Sequence, residues 1–110
     1  MNFEVKTISP FEKKAKRLIK KYPSLKSELL MLVSQLKTNP EMGISLGQGC
    51  YKIRISIASK GKGKSGGARI ITCFRITLHT IFLLTIFDKS EQDSLADQEL
   101  KELLSAIPEV

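Results

Sequence analysis

Four basic side chains recur in two stretches of the chain where apolar and polar residues alternate. Lys52 and Arg54 lie in the first stretch, and Arg69 and Arg75 lie in the second. If the apolar residues of both stretches share one face of a sheet, the period-two geometry of a strand places all four cations together on the other face. Like charges on adjacent strands repel, so we expect an anion such as a phosphate to bind there. A merely solvated sheet face is the alternative. The apolar residues that define this parity are Tyr51, Ile53, Ile55, Ile57, Ile70, Phe74 and Ile76.

A glycine- and lysine-rich segment, residues 59–67, separates the two stretches. Counted from Ala58, it fits a relaxed phosphate-loop pattern, but a phosphate loop must open a helix, and residues 68–77 have the composition of a strand. We therefore interpret the segment as a cationic loop that contacts nucleic-acid phosphates, with a merely solvated loop as the alternative. Its lysines are Lys60, Lys62 and Lys64.

A third set of cations lies on a predicted helix near the start of the chain. Ser9 and Glu12 have the spacing of a capping box with Ser9 as the cap, Pro10 suits the first helical position, and Pro23 ends the pattern. An apolar stripe covers one face of this helix. We expect the basic face to dock on RNA, and the alternative is again a solvated surface. The basic residues are Lys13, Lys14, Lys16, Arg17, Lys20 and Lys21.

The charge of the chain is unevenly distributed. The 110 residues carry a formal charge of +7. Residues 1–87 hold 16 basic and 4 acidic side chains, whereas residues 88–110 hold 2 basic and 7 acidic ones. A basic body of this kind suggests a polyanionic partner, RNA or DNA first and a membrane surface second, with solubility alone as the alternative.

Length and composition exclude several classes of protein. A chain of 110 residues predicts one domain, residues 1–110, too small for a two-domain cofactor enzyme. The first residues lack the apolar stretch of a signal peptide, and the apolar run 81–87 is too short to span a membrane, so we expect a cytoplasmic protein without membrane association. Two cysteines and one histidine cannot complete a four-ligand zinc site. We expect no metal, no cofactor and reduced thiols.

The elements that position these residues follow from the hydrophobic periodicity. Two amphipathic helices, the second starting near Ser24 and ending before Asn39, predict an antiparallel helical hairpin. Strands follow at 51–57, 68–77 and 80–87, and the last is apolar on both parities, as in a central strand. Residues 96–107 predict a C-terminal helix, and residues 2–7 a weak edge strand. The predicted order is β-α-α-β-β-β-α, an α+β fold with a twisted, mainly antiparallel sheet.

These segments together resemble a known family. The string YKIRISIASKGKGKSGGARIITCFRI, followed by IFLLTIFDKSEQDSL and preceded by KKYPSLKSELLMLVSQLKTNP, resembles the RelE/HigB branch of bacterial type II toxins over residues 11–104. The KSGGAR and DKSE segments carry most of this resemblance. It implies the RelE-like fold, which has the element order given above, and a ribosome-dependent endoribonuclease that cuts messenger RNA without a metal and is neutralised by an antitoxin.

The resemblance also implies roles for individual residues. In this family the substrate 2′-hydroxyl attacks the neighbouring phosphate, so the protein must orient the phosphate and assist two proton transfers. Lys52, Arg54 and Arg69 match the basic strand residues of the family, and Lys89 matches its later catalytic cation. We expect Arg69 and Arg54 to hold the phosphate, Lys52 to help activate the 2′-hydroxyl, and Lys89 to stabilise or protonate the leaving 5′-oxygen.

One position departs from the pattern of the family. The best-known RelE proteins carry a catalytic tyrosine after the last strand, where this chain has Leu95. Glu91 and Asp93 are candidates for the base in that segment, and Asp93 is equally a candidate helix cap.

Two other classes of function remain open at this stage. A ParE-like toxin shares the fold but inhibits DNA gyrase and cleaves no RNA, and an inactive module would bind RNA or the ribosome without catalysis. As partners we expect the ribosome, mRNA and an antitoxin. The antitoxin should offer an acidic or amphipathic segment to the basic body or to a groove near the helical hairpin.

Overall fold

The computed structural model describes residues 2–61 and 66–108, which form three α-helices and five strands with two short 3₁₀ turns. The elements in chain order are β1 (Glu4–Thr7), α1 (Ser9–Lys21), α2 (Leu25–Leu36), β2 (Ile44–Gly47), β3 (Cys50–Ile55), β4 (Ala68–Arg75), β5 (Thr80–Asp88) and α3 (Asp97–Ser105). The predicted α+β class and the order of its elements are confirmed. The addition is β2, a short strand that was not predicted.

The sheet has the strand order β1-β5-β4-β3-β2. Only β1 and β5 are parallel, and the other three pairings are antiparallel. Every residue of β5 is buried, as the continuous apolar run predicted for a central strand. Glu4 lies opposite Thr80, so the first strand of the chain pairs with the last one.

The start of α1 differs from the predicted capping box. Ile8 is the N-cap residue, Ser9 is the first helical residue, and no side chain caps the helix. Glu12 instead accepts a hydrogen bond from the Thr7 hydroxyl, which lies before the cap. The first amide groups of a helix have no partner within the helix, and a cap normally accepts their hydrogen bonds. Pro10 has no amide proton, so one of these donors is absent and the helix can begin without the predicted serine cap.

Two apolar clusters cover the two faces of the sheet. The first cluster joins α1 and α2 to one face through residues such as Leu18, Leu36 and Ile70. The second cluster lies on the opposite face, where Leu103 and Ile107 pack against Ile71, Phe82, Leu84 and Phe87. The sheet face that was predicted to carry the cations is therefore partly an apolar core, which α3 covers.

The cysteines face each other within this second cluster. Cys50 and Cys73 are cross-strand partners on β3 and β4, and both are buried free thiols. The hydrogen bond that the Cys50 thiol donates to Cys73, and after it burial, raise the pKa of Cys50, so that thiol stays protonated. The pair therefore contributes to packing.

Candidate functional site: a cationic cluster at one end of the sheet

Arg54 and Arg69 are direct cross-strand partners on β3 and β4. The Phe74 amide donates to the Gly49 carbonyl over 2.8 Å, which makes that pair a hydrogen-bonded one. Because hydrogen-bonded and non-hydrogen-bonded pairs alternate along an antiparallel ladder, Arg54 and Arg69 occupy a non-hydrogen-bonded position, where side chains approach most closely. The predicted parity of the two strands is confirmed by this register, and it places two guanidinium-bearing residues side by side.

The two arginines differ in their access to solvent. Arg54 is exposed, whereas Arg69 is only 3% exposed, and one of its guanidinium nitrogens donates to the Ala68 carbonyl over 3.3 Å. Burial, and after it the charge of Arg54, lowers the pKa of Arg69. An arginine nevertheless keeps its proton at neutral pH, so a buried positive charge lies on the strand next to the exposed Arg54.

Lys52 belongs to the same face, but Arg75 does not belong to the same cluster. Lys52 lies opposite Ile71 and is half-buried, two residues from Arg54. Arg75 lies six residues from Arg69 on β4, which is roughly 20 Å along a strand. Its guanidinium donates to the Gln48 carbonyl over 3.1 Å. The expectation that four cations form one patch is therefore wrong for Arg75, because a shared face does not imply a shared end of the sheet.

Lys89 lies at the Arg69 end of the sheet. Its amide donates to the Gly67 carbonyl over 3.0 Å, which extends the ladder between β4 and β5 by one residue. Asp88, the last residue of β5, is the register partner of Ala68, which precedes Arg69 on β4. Lys89 follows Asp88 and therefore lies just beyond the end of β5, next to the strand that carries Arg69. The Lys89 side chain is 32% exposed and forms an ion pair with Asp93. We call Lys52, Arg54, Arg69 and Lys89 the cationic cluster.

Lys60 has a role that the sequence did not predict. Its side chain is 8% exposed and forms an ion pair with Asp88, which is fully buried. Its ammonium group also lies 3.2 Å from the Ser90 hydroxyl and 5.6 Å from the centre of the Tyr22 ring. The interpretation of Lys60 as a free loop cation is therefore wrong, because its charge is already neutralised inside the protein. Lys62 and Lys64 lie outside the described residues.

The basic face of α1 consists of two rows. Lys14, Arg17 and Lys21 form ion pairs with the acidic segment that follows β5: Lys14 with Glu99 at 3.7 Å, Arg17 with Glu91 at 2.9 Å and Lys21 with Glu91 at 3.9 Å. The second row is exposed and has no ion pair within the described part of the chain. It comprises Lys13, Lys16 and Lys20. Only this second row is available to an external polyanion without displacing the acidic segment.

The candidate bases after β5 are engaged in other contacts. The hydrogen bond from Arg17 lowers the pKa of Glu91, which makes that carboxylate a weaker base. Asp93 is paired with Lys89 and caps no helix, because α3 starts at Asp97 with Ala96 as its N-cap residue. Leu95, where the resemblance predicts a tyrosine, packs against the second apolar cluster.

Asp88 and Tyr22 belong to this end of the sheet, although the sequence analysis did not predict a role for them. The Tyr22 hydroxyl donates to one carboxylate oxygen of Asp88 over 2.8 Å, and the Ser90 amide and hydroxyl donate to the other over 3.0 and 2.8 Å. Burial raises the pKa of Asp88, but the hydrogen bonds from Lys60, Ser90 and Tyr22 outweigh it and hold the pKa well below its usual range. The sequence feature that could have indicated this site is an aspartate at the end of a mainly apolar strand.

The fold and the cationic cluster define a small α+β protein whose sheet carries a group of basic side chains at one end. The model of a family described as the RelE toxin of the RelE/RelB toxin–antitoxin system matches residues 8–108. The chain therefore belongs to the RelE toxin family and is a toxin of a toxin–antitoxin system.

A solved structure supports the same fold. The free E. coli toxin RelE, in a form with two arginine-to-alanine substitutions, superimposes with a TM-score of 0.65 at 14% sequence identity. The match covers 98% of this chain and 100% of the E. coli chain. Within the residues that the structure describes, none of the helices has the length and apolarity to cross a bilayer.

Proposed function

We propose that this toxin is a ribosome-dependent endoribonuclease that cuts translated mRNA and thereby inhibits translation. The observation that carries the proposal is the Arg54–Arg69 pair, two cations at the position of closest cross-strand approach. Guanidinium groups form charge-assisted hydrogen bonds with phosphate oxygens, so this arrangement suits a phosphate. Lys52 on the same face and Lys89 beyond β5 extend the cationic cluster along one phosphodiester.

The reaction requires charge stabilisation and two proton transfers. The 2′-oxygen forms a bond to phosphorus, the bond from phosphorus to the 5′-oxygen breaks, and a 2′,3′-cyclic phosphate results. Exposed Arg54 contacts the non-bridging oxygens of the phosphate. Buried Arg69, on the neighbouring strand, adds positive electrostatic potential at that position. Lys52 helps remove the 2′-hydroxyl proton, and Lys89 donates a proton to the leaving 5′-oxygen. In this scheme the phosphate displaces Asp93 from Lys89.

Docking on the ribosome is assigned to the exposed row of α1. Lys13, Lys16 and Lys20 present three ammonium groups along one side of the helix, and these suit the phosphate backbone of ribosomal RNA. Correct placement of the mRNA by the ribosome then provides part of the catalysis. A chain of 110 residues suffices if the ribosome completes the site.

The antitoxin is assigned to a groove between α2 and β3. The groove has a volume of about 310 Å³ and is lined by Met31, Leu32, Met42 and Ile53, with Arg54 at its border. Met31 is 65% exposed, which is unusual for a large apolar side chain. An acidic amphipathic segment would cover the methionines and pair with Arg54, blocking the cationic cluster directly. Association should slow as ionic strength rises, and an association rate indifferent to salt would contradict this assignment.

The test of the nuclease is cleavage of translated mRNA. The purified toxin is added to ribosomes translating a defined message, and primer extension maps the cuts in the presence and absence of EDTA. We expect cleavage that requires translation, resists EDTA and leaves a cyclic phosphate. Arg69→Ala and Lys89→Ala variants should lose it, whereas Lys26→Gln, an exposed control on α2, should retain it.

Three results would contradict the proposal in different ways. Wild-type cleavage by both Arg69→Ala and Lys89→Ala would show that the site is elsewhere. DNA damage in cells without any translation-dependent RNA cleavage would instead favour a gyrase inhibitor. Ribosome binding by a wild-type toxin that cuts no message would indicate an inactive RNA-binding module.

A further inference from the structure

The ion pair between Lys60 and Asp88 is buried beside the cationic cluster. The Asp88 side chain is 0% exposed and the Lys60 side chain is 8% exposed. Burying two charges is costly unless good geometry and additional hydrogen bonds compensate for the lost water. The site therefore has one well-defined arrangement, in contrast to the exposed pair between Glu4 and Lys6 on β1.

Asp88 organises the turn that carries Lys89. Its carboxylate accepts hydrogen bonds from the Ser90 amide and hydroxyl, over 3.0 and 2.8 Å, and from Tyr22. Its backbone carbonyl accepts the amides of Glu91 and Gln92 over 2.9 and 3.0 Å. Lys89 lies between these anchored residues, so its backbone is fixed on both sides by contacts to Asp88.

The same residue connects this turn to the strand that carries Arg69. Asp88 is the register partner of Ala68, the neighbour of Arg69 in sequence. Lys60 ends the 3₁₀ turn that follows β3, and Gly67 precedes β4 and accepts the Lys89 amide. Two residues of the connection between β3 and β4 are therefore attached to two consecutive residues after them in the chain. Lys60 pairs with Asp88, and Gly67 accepts the amide of Lys89.

We propose that Asp88 and Lys60 are positioning residues for RNA cleavage: their ion pair holds the turn at Lys89 against the start of β4, so that Lys89 reaches the phosphate whose charge the buried Arg69 helps to stabilise. This inference rests on the proposed nuclease function. Neither residue touches the substrate in this scheme. Because a misplacement of about 1 Å can reduce a rate about 100-fold, the effect belongs in kcat.

The test separates turnover from binding. Asp88→Asn and Lys60→Met are assayed in ribosome-dependent cleavage at a temperature at which circular dichroism shows each variant folded. We expect kcat to fall about 10- to 100-fold with KM for the mRNA–ribosome complex within about 2-fold of wild type. Lys60→Arg keeps the charge and should recover part of the lost kcat. Glu4→Gln, which breaks the exposed pair on β1, should leave kcat unchanged.

A stability-matched control distinguishes positioning from a general loss of folding. Leu36→Ala removes part of a fully buried side chain far from this turn and should lower the melting temperature without lowering kcat in the folded range. If Asp88→Asn fails to fold, Lys60→Met decides the question. Wild-type kcat in an active toxin carrying Lys60→Met would overturn the inference. Absence of cleavage by the wild-type toxin would instead contradict the nuclease proposal itself.

Discussion

Arg54 stands directly opposite Arg69 at a non-hydrogen-bonded position of the β3–β4 ladder. Two like charges held this close lower the stability of the sheet by a few tenths of a kcal/mol or more, unless an anion lies between them. The pair is therefore expected to lower the stability of the sheet while it serves the proposed cleavage of RNA.

Arg54→Gln should separate these two effects. Removing the exposed guanidinium relieves the repulsion, so the free energy of unfolding should stay the same or rise by a few tenths of a kcal/mol. The same change should reduce kcat/KM for RNA cleavage about 100-fold, because it removes a cation from the transition state. Thermal unfolding and primer extension on one preparation measure both quantities. A variant that loses stability as well as activity would show that Arg54 supports the fold.

The pH dependence of stability should reflect Asp88. The pKa of its carboxyl group is depressed in the folded protein, whereas an unfolded aspartate titrates near 3.9. The stabilisation is therefore fully present above about pH 4 and is lost as the pH falls towards the folded value. The free energy of unfolding of the wild type should decrease between about pH 4 and pH 2, and the decrease should be shallower in Asp88→Asn. Chemical denaturation at fixed pH values measures the difference.

At neutral pH the same variant should be strongly destabilised. Asp88→Asn leaves the buried Lys60 ammonium without its counter-ion, which costs about 3–5 kcal/mol. Adding Lys60→Met removes that unpaired charge and should recover part of the loss. A double variant no more stable than Asp88→Asn alone would mean that Tyr22 and Ser90, rather than the ion pair, carry the energy of this site.

The two cation rows of α1 should differ in RNA binding. Neutralising Lys13, Lys16 and Lys20 together with glutamine should lower RNA affinity and reduce the slope of log K against log salt concentration by about 2 to 3. The matched triple change at Lys14, Arg17 and Lys21 should have a smaller effect, because these cations already pair with Glu91 and Glu99. Filter binding across a salt series compares them. Equal slopes in the two triple variants would contradict the division into rows.

Gly67 should tolerate no side chain. A Cβ atom there would lie 2.0 Å from the backbone carbonyl oxygen of Ile55, and backbone cannot yield as a flexible side chain does. Gly67→Ala should therefore lower the free energy of unfolding by about 1–3 kcal/mol. At Gly47 an added Cβ meets no atom within 4 Å, so the same change there should cost only the strain of its positive φ. Denaturant titration of both variants gives the comparison.

Periodicity was sufficient to predict most of the fold. The apolar run of β5, the two helical stripes and the shared parity of β3 and β4 all depend on side-chain spacing, and each is confirmed by the burial and register of those elements. The strand β2 was missed because it has only four residues, too few for the alternation of Ile44 and Leu46 with Ser45 and Gly47 to establish a period.

The candidate site was predicted less completely, for a physical reason. Parity places Arg54 and Arg69 on one face, but it does not say how far along a strand two residues lie from each other, which is why Arg75 was wrongly included. Lys60 was misjudged because its partner, Asp88, is 28 positions away in the chain. Pairing between distant residues depends on the fold, and no local spacing indicates it.

The parallel pairing of β1 with β5 also determines when the molecule becomes complete. Glu4 and Thr80 are register partners, so β1 joins the sheet only after residues far apart in sequence have met. Contacts of such long range slow folding. During synthesis, β4 cannot acquire its neighbour β5, nor Lys89 its place beside Arg69, until about four-fifths of the chain has emerged. The cationic cluster therefore cannot assemble on a nascent chain that ends before β5.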